Sequence, residues 1–510
     1  MILKLTPEQA ANEHEIKRAM ERETHGKVRS FRIIKKSIDA RGRSINVLLN
    51  VEPADNPLKY ENRFEYKDVT NRPEVIVVGS GPAGLFCALR LIELNIKPII
   101  FERGKEILPR KQDIALQNRN EAFDEESNYC FGQGGAGTFS DGKLYTRSKK
   151  RGNNQRIFEI FHAHGAQDEI LYEAHPHIGT DRLPEVIRRM CNTITEYGGE
   201  IRYNSRAEEL IVKDGNIKGV KISGGEICEC DRVVLATGHS ARDVYMMLDK
   251  AGIAIEAKGF ALGVRVEHPQ KLIDSIQYHK MDTKYLPSAS YQLVTQVDGR
   301  GVYSFCMCPG GHIVPASTEK DHTVVNGMSS SQRNSPFANS GIVVEIHPED
   351  LPEEYQKYGA LAGLIFRDDI EHTAFVNNGG GIQNAPAQRI GDFVKGKVSF
   401  DLPQCSYLPG IVSSPLHFWL PDIISKRLQQ GFRDFDKKMH GFLTNEALIV
   451  GVESRSSSPI RIPRDSETLQ HPQVKGLYPA GEGSGYAGGI TSSAVDGERI
   501  AERIAYEIGF

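Results

Sequence analysis

Residues 75–85, "VIVVGSGPAGL", constrain the fold more than any other stretch of this 510-residue chain. A run of Val and Ile enters Gly79, Gly81 and Gly84, and "PAGLFCALRLIEL" follows with the apolar content of a buried helix. A strand that turns through glycines into a helix needs each glycine for a separate reason. The first permits the tight turn, the second lets backbone approach a pyrophosphate, and the third lets the helix lie close on the strand. The helix start adds free N–H groups and partial positive charge. "KPIIFERG" supplies the next strand, and Glu102 stands at its end, 18 residues after Gly84, where a carboxylate meets ribose hydroxyls. With strand, helix and acid all in place, a dinucleotide-binding βαβ unit is expected rather than a bare glycine turn.

A second stretch, "FGQGGAGTFSDGKL" (131–144), also fits G-x-G-x-x-G, through Gly132, Gly134 and Gly137. Its context differs. No apolar strand precedes it, no apolar helix follows, and no acid-tipped strand comes after. A second dinucleotide domain is therefore not expected, and any nicotinamide cofactor is expected to bind transiently or not at all.

Composition adds exclusions. The chain is 39% hydrophobic and 25% charged with a formal net charge of −3, so no field favours nucleic acid or acidic lipid. No apolar run approaches the roughly 20 residues of a membrane span, and the N-terminus lacks a signal-peptide apolar region. Eight dispersed cysteines do not resemble a secreted disulfide framework. A cytoplasmic protein is expected. Residues 1–72 read as a small α+β module and a polar linker. Residues 73–245 read as strand, helix and strand, then a meander with a turn at Asp214-Gly215 that returns to "RVVLATG". Residues 246–439 mix short strands with polar loops, and 440–510 close with strand, glycine loop and helix.

Taken together, "VIVVGSGPAGL…FERG", "VVLATG" and "GLYPAGEGSGYAGGI" resemble flavoproteins with a glutathione-reductase type of FAD-binding domain. More narrowly, "ESNYCFGQGGAGTFSDGKLYTR", "ATGHSARD", "NGMSSSQRNSPFANSG" and "VGVESRSSSPIRIPRD" resemble bacterial FAD-dependent dehydrogenases of unassigned substrate. The resemblance implies an α/β fold: a Rossmann-like FAD-binding domain with an inserted mixed α+β substrate domain. It implies that Gly79, Gly81 and Gly84 bind the ADP pyrophosphate, Glu102 the ribose, and Ala207 the adenine through its backbone. Thr237 and Gly238 would close a second contact loop. Gly481 and Glu482 would reach pyrophosphate and ribitol, and Gly488, Gly489 and Ile490 would lie at the flavin end. Ala83, Arg103 and Lys143 belong to the same expected cofactor set. Glu482 stands where many such proteins carry Asp, which leaves its hydrogen-bond partner open. Gly134, Gly135 and Gly137 would turn backbone N–H groups toward an anion within the same FAD site; the alternative is a floppy surface loop.

Other candidates are weighed against blander readings. Cys228/Cys230 and Cys306/Cys308 form Cys-x-Cys pairs. On a regular strand such residues stand about 6.6 Å apart, whereas disulfide Cβ atoms need roughly 3.5–4.5 Å, so packing is favoured for both. A metal site from Cys306, Cys308 and His312 lacks a fourth ligand, and no metal is expected. Arg455, Arg461 and Arg464 could hold an anion or form ion pairs. His239 follows Gly238 and reads as a satisfied loop histidine. Trp419 lies in a stretch that caps a domain core or lines a channel. No catalytic residue is assigned. The reading is an FAD-dependent oxidoreductase acting on a small molecule, with NAD(P)H as transient donor. The alternatives are a flavin-dependent monooxygenase or an FAD-bound electron carrier with a protein redox partner.

Overall fold

A computed structural model describes residues 1–42, 44–54, 64–146, 152–279 and 282–509. At its centre is a five-stranded parallel sheet in the order 477–479, 233–235, 74–78, 97–101, 200–202. Strand Glu74–Val78 is buried from Val75 onward because it lies between two parallel neighbours, in register with Val233–Leu235 and Lys97–Phe101. Helix Pro82–Glu93 starts at Gly81 with Pro82 in its first turn, where a missing N–H costs nothing. Its side chains Leu85, Phe86, Leu89 and Leu91 are buried, each worth about 2 kcal/mol.

The last helix, Ile490–Ile508, packs along that first helix. The contact is backbone on backbone: a Cβ at Gly497 would stand 2.1 Å from the Ala83 carbonyl oxygen. The meander forms as expected from strands 207–213, 216–222 and 227–229, with both turn residues Asp214 and Gly215 left-handed. Between the second and third strands of the parallel sheet in chain order, helices Ile107–Asn118, Asn154–Ala163 and Leu183–Glu196 flank the 131–144 stretch.

The inserted unit is a seven-stranded sheet in the order 294–297, 300–308, 337–346, 260–269, 448–453, 385–389, 411–413. Helices Ala362–Val376 and Asp422–Lys438 pack on it. Strand Leu448–Glu453 pairs with 260–269 and 385–389, so the expected boundary at residue 440 moves past Glu453. The run "LIVGVE" is fully buried and has no polar alternation to reveal which sheet it joins. Helix Asp422–Lys438 begins only after Pro421, and Trp419, in a short turn before it, donates its Nε1–H to Ser414 and packs against this sheet's core. The N-terminal module is a three-stranded antiparallel sheet, 2–5, 46–54, 30–39, covered by helix Glu13–Thr24 through Ile16 and Met20. Residues 55–63 of the expected linker lie outside the described residues. No described helix is long and apolar enough to cross a membrane.

Candidate active site

A cavity of about 640 Å³ runs between the parallel sheet and the inserted sheet. At one end Arg103 pairs with Glu126 and Asp243, lies 4.1 Å over the Phe131 ring, and shares Glu126 with Arg206. Ala207 lines the same end. In the middle lie Gly79, Gly81 and Ala83 from the first glycine turn, Thr237 and Gly238 from the loop after strand Val233–Leu235, and Gly481 and Glu482 from the C-terminal loop. At the far end lie Gly137, Lys143 and Gly488–Ile490; Thr491 ties this end together by donating to the Leu144 carbonyl.

Three helices start at the wall of this cavity without a side-chain cap, at Gly81, Ala241 and Gly489. Uncapped helix starts present N–H groups and partial positive charge, which suits a diphosphate. A Cβ on Gly81 would meet no protein atom within 4 Å, so the space beside it belongs to the cavity. The residues present therefore fit an FAD diphosphate.

Three expected cofactor residues are placed differently. Glu102 lines the cavity but is buried, and its carboxylate accepts from Ser80 N and Oγ, Gly104 N and Gly132 N at 2.7–3.0 Å. Those donors fill the roughly four lone-pair sites of a carboxylate, leaving little for a ribose. Gly134 faces away: its N–H goes to Ser80 Oγ, and a Cβ there would meet Thr138 and Ile187. Gly84 lies beneath the helix against Gly79 rather than on the cavity wall. Gly135 does line the cavity, and a Cβ there would come within 2.9 Å of Gly81 Cα. The second glycine match thus folds directly onto the first. Arg110, fully buried, clamps it from within by donating to the carbonyls of Asn128, Tyr129, Gln133 and Gly135. With no carboxylate in that hydrogen-bond set, burial pulls Arg110 down to about 10. A lone Arg in a helix carries no sequence signal of such a role.

His239 also lines the cavity. Burial, then the charges of Arg367 and Arg455, pull it down to about 3, so it is neutral. Its Nε2–H donates to the Arg455 carbonyl, which leaves Nδ1 as an acceptor 3.5 Å from Glu482. Burial pushes Glu482 up to about 7 against the charge of Lys258. Arg455 reaches the cavity but is held bidentately by Glu371. Arg464 is a strut: it pairs with Asp496, which in turn accepts from Gly481 N. Arg461 is exposed beside Tyr486.

Cys228 and Cys230 sit at the meander edge with Glu226, Arg202 and the Glu74 carbonyl as partners. The other pair departs from expectation. Cys306 is left-handed at φ 46°, and the register with the neighbouring strand slips between Phe305 and Cys308. The regular-strand premise fails here, at a conformational cost of about 1–2 kcal/mol. Lys143 Nζ lies 3.6 Å from Cys306 Sγ and 3.4 Å from Cys308 Sγ, and 3.1 Å from Asp141. Fully buried Arg265 donates to Cys308 Sγ, the Cys306 carbonyl and Glu453. The hydrogen bond from Cys308, then Lys143 and Arg265, hold the Cys306 thiol well below its usual range and leave Cys308 above it. His312 points outward on its strand. Among the described residues one group has cation-binding spacing, Glu319, His322 and Glu371, but Glu371 is already taken by Arg455 and Ser454.

Parts of the chain match known proteins. Residues 259–456 match the family model "FAD-dependent protein, C-terminal domain-like", and residues 1–53 match a domain family of unknown function. An uncharacterized protein of Clostridium beijerinckii is 41% identical over 495 residues, covering 92% of this chain and 91% of its own. The chain belongs to this family of FAD-dependent proteins. Among solved structures, L-proline dehydrogenase from P. horikoshii overlaps at 12% identity and a TM-score of 0.39, covering 86% of this chain and 94% of its own. A geranylgeranyl bacteriochlorophyll reductase-like protein from Thermoplasma acidophilum overlaps at 13% and 0.35, covering 86% and 80%.

Proposed function

We propose that this chain is an oxidoreductase that passes hydride between flavin N5 and a small-molecule substrate, with NAD(P)H as transient donor and the cytoplasm as its place of action. The observation that carries this reading is one continuous cavity. It runs from the Arg103 end, past the uncapped helix starts at Gly81 and Gly489, to the inserted sheet at Tyr303 and Cys306. FAD bound there would supply two-electron hydride chemistry. The chain's own residues bind and orient. The helix start at Gly81 would hold the phosphates, the helix start at Gly489 would face the flavin ring, and Arg103 would wall the adenosine end. Lys143 places a positive charge at the Gly488–Ile490 end, where negative charge develops on reduction. Protonated Glu482 faces Nδ1 of neutral His239 as a hydrogen-bond donor, so the proton stays on the carboxyl in mid-cavity.

The test is the absorption spectrum and the mass of the released cofactor, followed by anaerobic addition of NADH, then NADPH. FAD that bleaches with one nicotinamide supports the reading. FMN or no flavin overturns it. FAD that bleaches only with a reduced protein partner replaces the enzyme with an electron carrier, and steady hydroxylation of an added substrate replaces hydride transfer with oxygen chemistry.

A further inference from the structure

We propose that Cys306 and Cys308 are a redox pair coupled to the flavin end of the cavity, cycling between a thiolate–thiol form and an intrachain disulfide. The inference rests on the FAD reading above and extends it.

Three independent observations carry it. The first is placement. Cys306 lines the cavity together with Lys143 and Gly488–Ile490, while Cys308 is buried directly behind it. A pair kept only for packing has no reason to present one sulfur to the cofactor space.

The second is backbone. A non-glycine residue at φ 46° inside a strand is uncommon, and the register slip at the same point lets both sulfurs reach one ammonium. Such outliers persist where the surroundings over-determine them, often at functional sites.

The third is charge. Lys143, paired with Asp141, and fully buried Arg265, paired with Glu453, both reach the sulfurs. Lys143 and Arg265 each lie 3.4 Å from Cys308 Sγ, so the charge is held at the sulfurs rather than at the rim.

The step closes without another reagent. The S–S bond takes two electrons and one proton, as hydride, from the anionic reduced flavin. It breaks to leave a thiolate on Cys306 and a thiol on Cys308, and the flavin is left oxidised. In the reverse direction the thiolate and thiol form the S–S bond and return the same hydride equivalent. Atoms and charge balance in both directions, and the thiolate rests beside Lys143.

The test counts electrons. Air-oxidised holoprotein is titrated anaerobically with dithionite. Wild type should take up four electrons per flavin, and Cys306→Ser and Cys308→Ser two each. Separately, flavin-free protein is equilibrated in mixtures of reduced and oxidised dithiothreitol, quenched in acid, unfolded in urea, alkylated with iodoacetamide and mapped by peptide mass. Both cysteines should gain label together in wild type. In each single variant the remaining cysteine should label at every potential. In the folded protein, Lys143→Met should slow alkylation of reduced Cys306 at neutral pH about tenfold. Two electrons per flavin in wild type, with both thiols free after air oxidation, overturn the proposal while leaving the flavin reading intact. Protein that carries no flavin overturns that reading instead, and the alkylation result still decides the pair. Should Cys308→Ser, a fully buried change, fail to fold, Cys306→Ser at the cavity wall decides alone.

Discussion

The carboxylate of Glu102 accepts the backbone N–H of Gly132 at 2.9 Å, joining the end of the second parallel strand to the glycine-rich stretch thirty residues on. The same carboxylate accepts both donors of Ser80, inside the first glycine turn. One side chain therefore fixes two glycine loops against each other, and its work is structural before any ligand arrives.

Glu102→Gln should destabilise the flavin-free protein by about 1–3 kcal/mol, because an amide NH₂ would face a donor that the carboxylate now satisfies. Urea unfolding of the apoprotein is the measurement. A residue that acted only on ribose would leave that curve unmoved.

Gly81 and Gly497 should fail in opposite ways. At Gly81 a Cβ meets no protein atom, so Gly81→Val should leave apoprotein stability within about 1 kcal/mol. Flavin occupancy should fall at least about tenfold, ~1.4 kcal/mol. At Gly497 a Cβ would strike the Ala83 carbonyl, so Gly497→Val should cost ~3 kcal/mol with or without flavin. Gly134→Val should behave like Gly497→Val, since φ is +82° and Thr138 and Ile187 fill the space. Cofactor content and thermal unfolding of each apoprotein separate the two classes.

Glu482 sets a pH dependence. Burial raises its carboxyl from 4.5 to about 7, so the stability it contributes is fully present below pH 4.5 and is lost as pH rises through 7. Removing the ionisable group should stabilise flavin-free protein at pH 8 by about 1–3 kcal/mol and do little at pH 4, allowing for partial solvent contact through the cavity. His239, lowered from 6.5 to about 3, works in the opposite sense, losing stability as pH falls through that range. The difference between wild type and Glu482→Gln, followed by denaturant unfolding from pH 4 to 8, isolates the carboxyl.

Arg464→Met should cost about 3–5 kcal/mol, because it strands the buried Asp496 carboxylate that also anchors Gly481 N. Asp496→Asn in the same background should recover part of that loss. A double-mutant cycle on the apoprotein gives the coupling.

What could be read from the sequence follows how local each feature is. The turn at Gly79–Gly84, the Asp214-Gly215 hairpin and the uncapped helix start at Gly489 are written in consecutive residues, and all three form. Glu102 was legible as to place but not as to partner, since Ser80 and Gly132 meet it only once two loops have folded together. Gly134 was misplaced for a related reason: a pattern of glycines says that backbone approaches something, and here that something is Ser80 and Ile187. The surroundings of Cys306 were hidden twice. Its left-handed backbone breaks the strand rule used to judge the pair, and Lys143 arrives from 163 residues away. Arg110 gave no sign at all, because an arginine that donates only to carbonyls has no acidic partner to point to it.

The seating of helix Ile490–Ile508 on helix Pro82–Glu93 also sets an order of assembly. Strand 477–479 completes one edge of the parallel sheet, and Gly489 supplies an uncapped helix start at the cavity wall. A growing chain on the ribosome makes the first glycine turn some four hundred residues before these parts emerge. Closure of this packing is thus late in synthesis, and until then the face of helix Pro82–Glu93 that Gly497 will cover stays open to chaperones and to neighbouring chains.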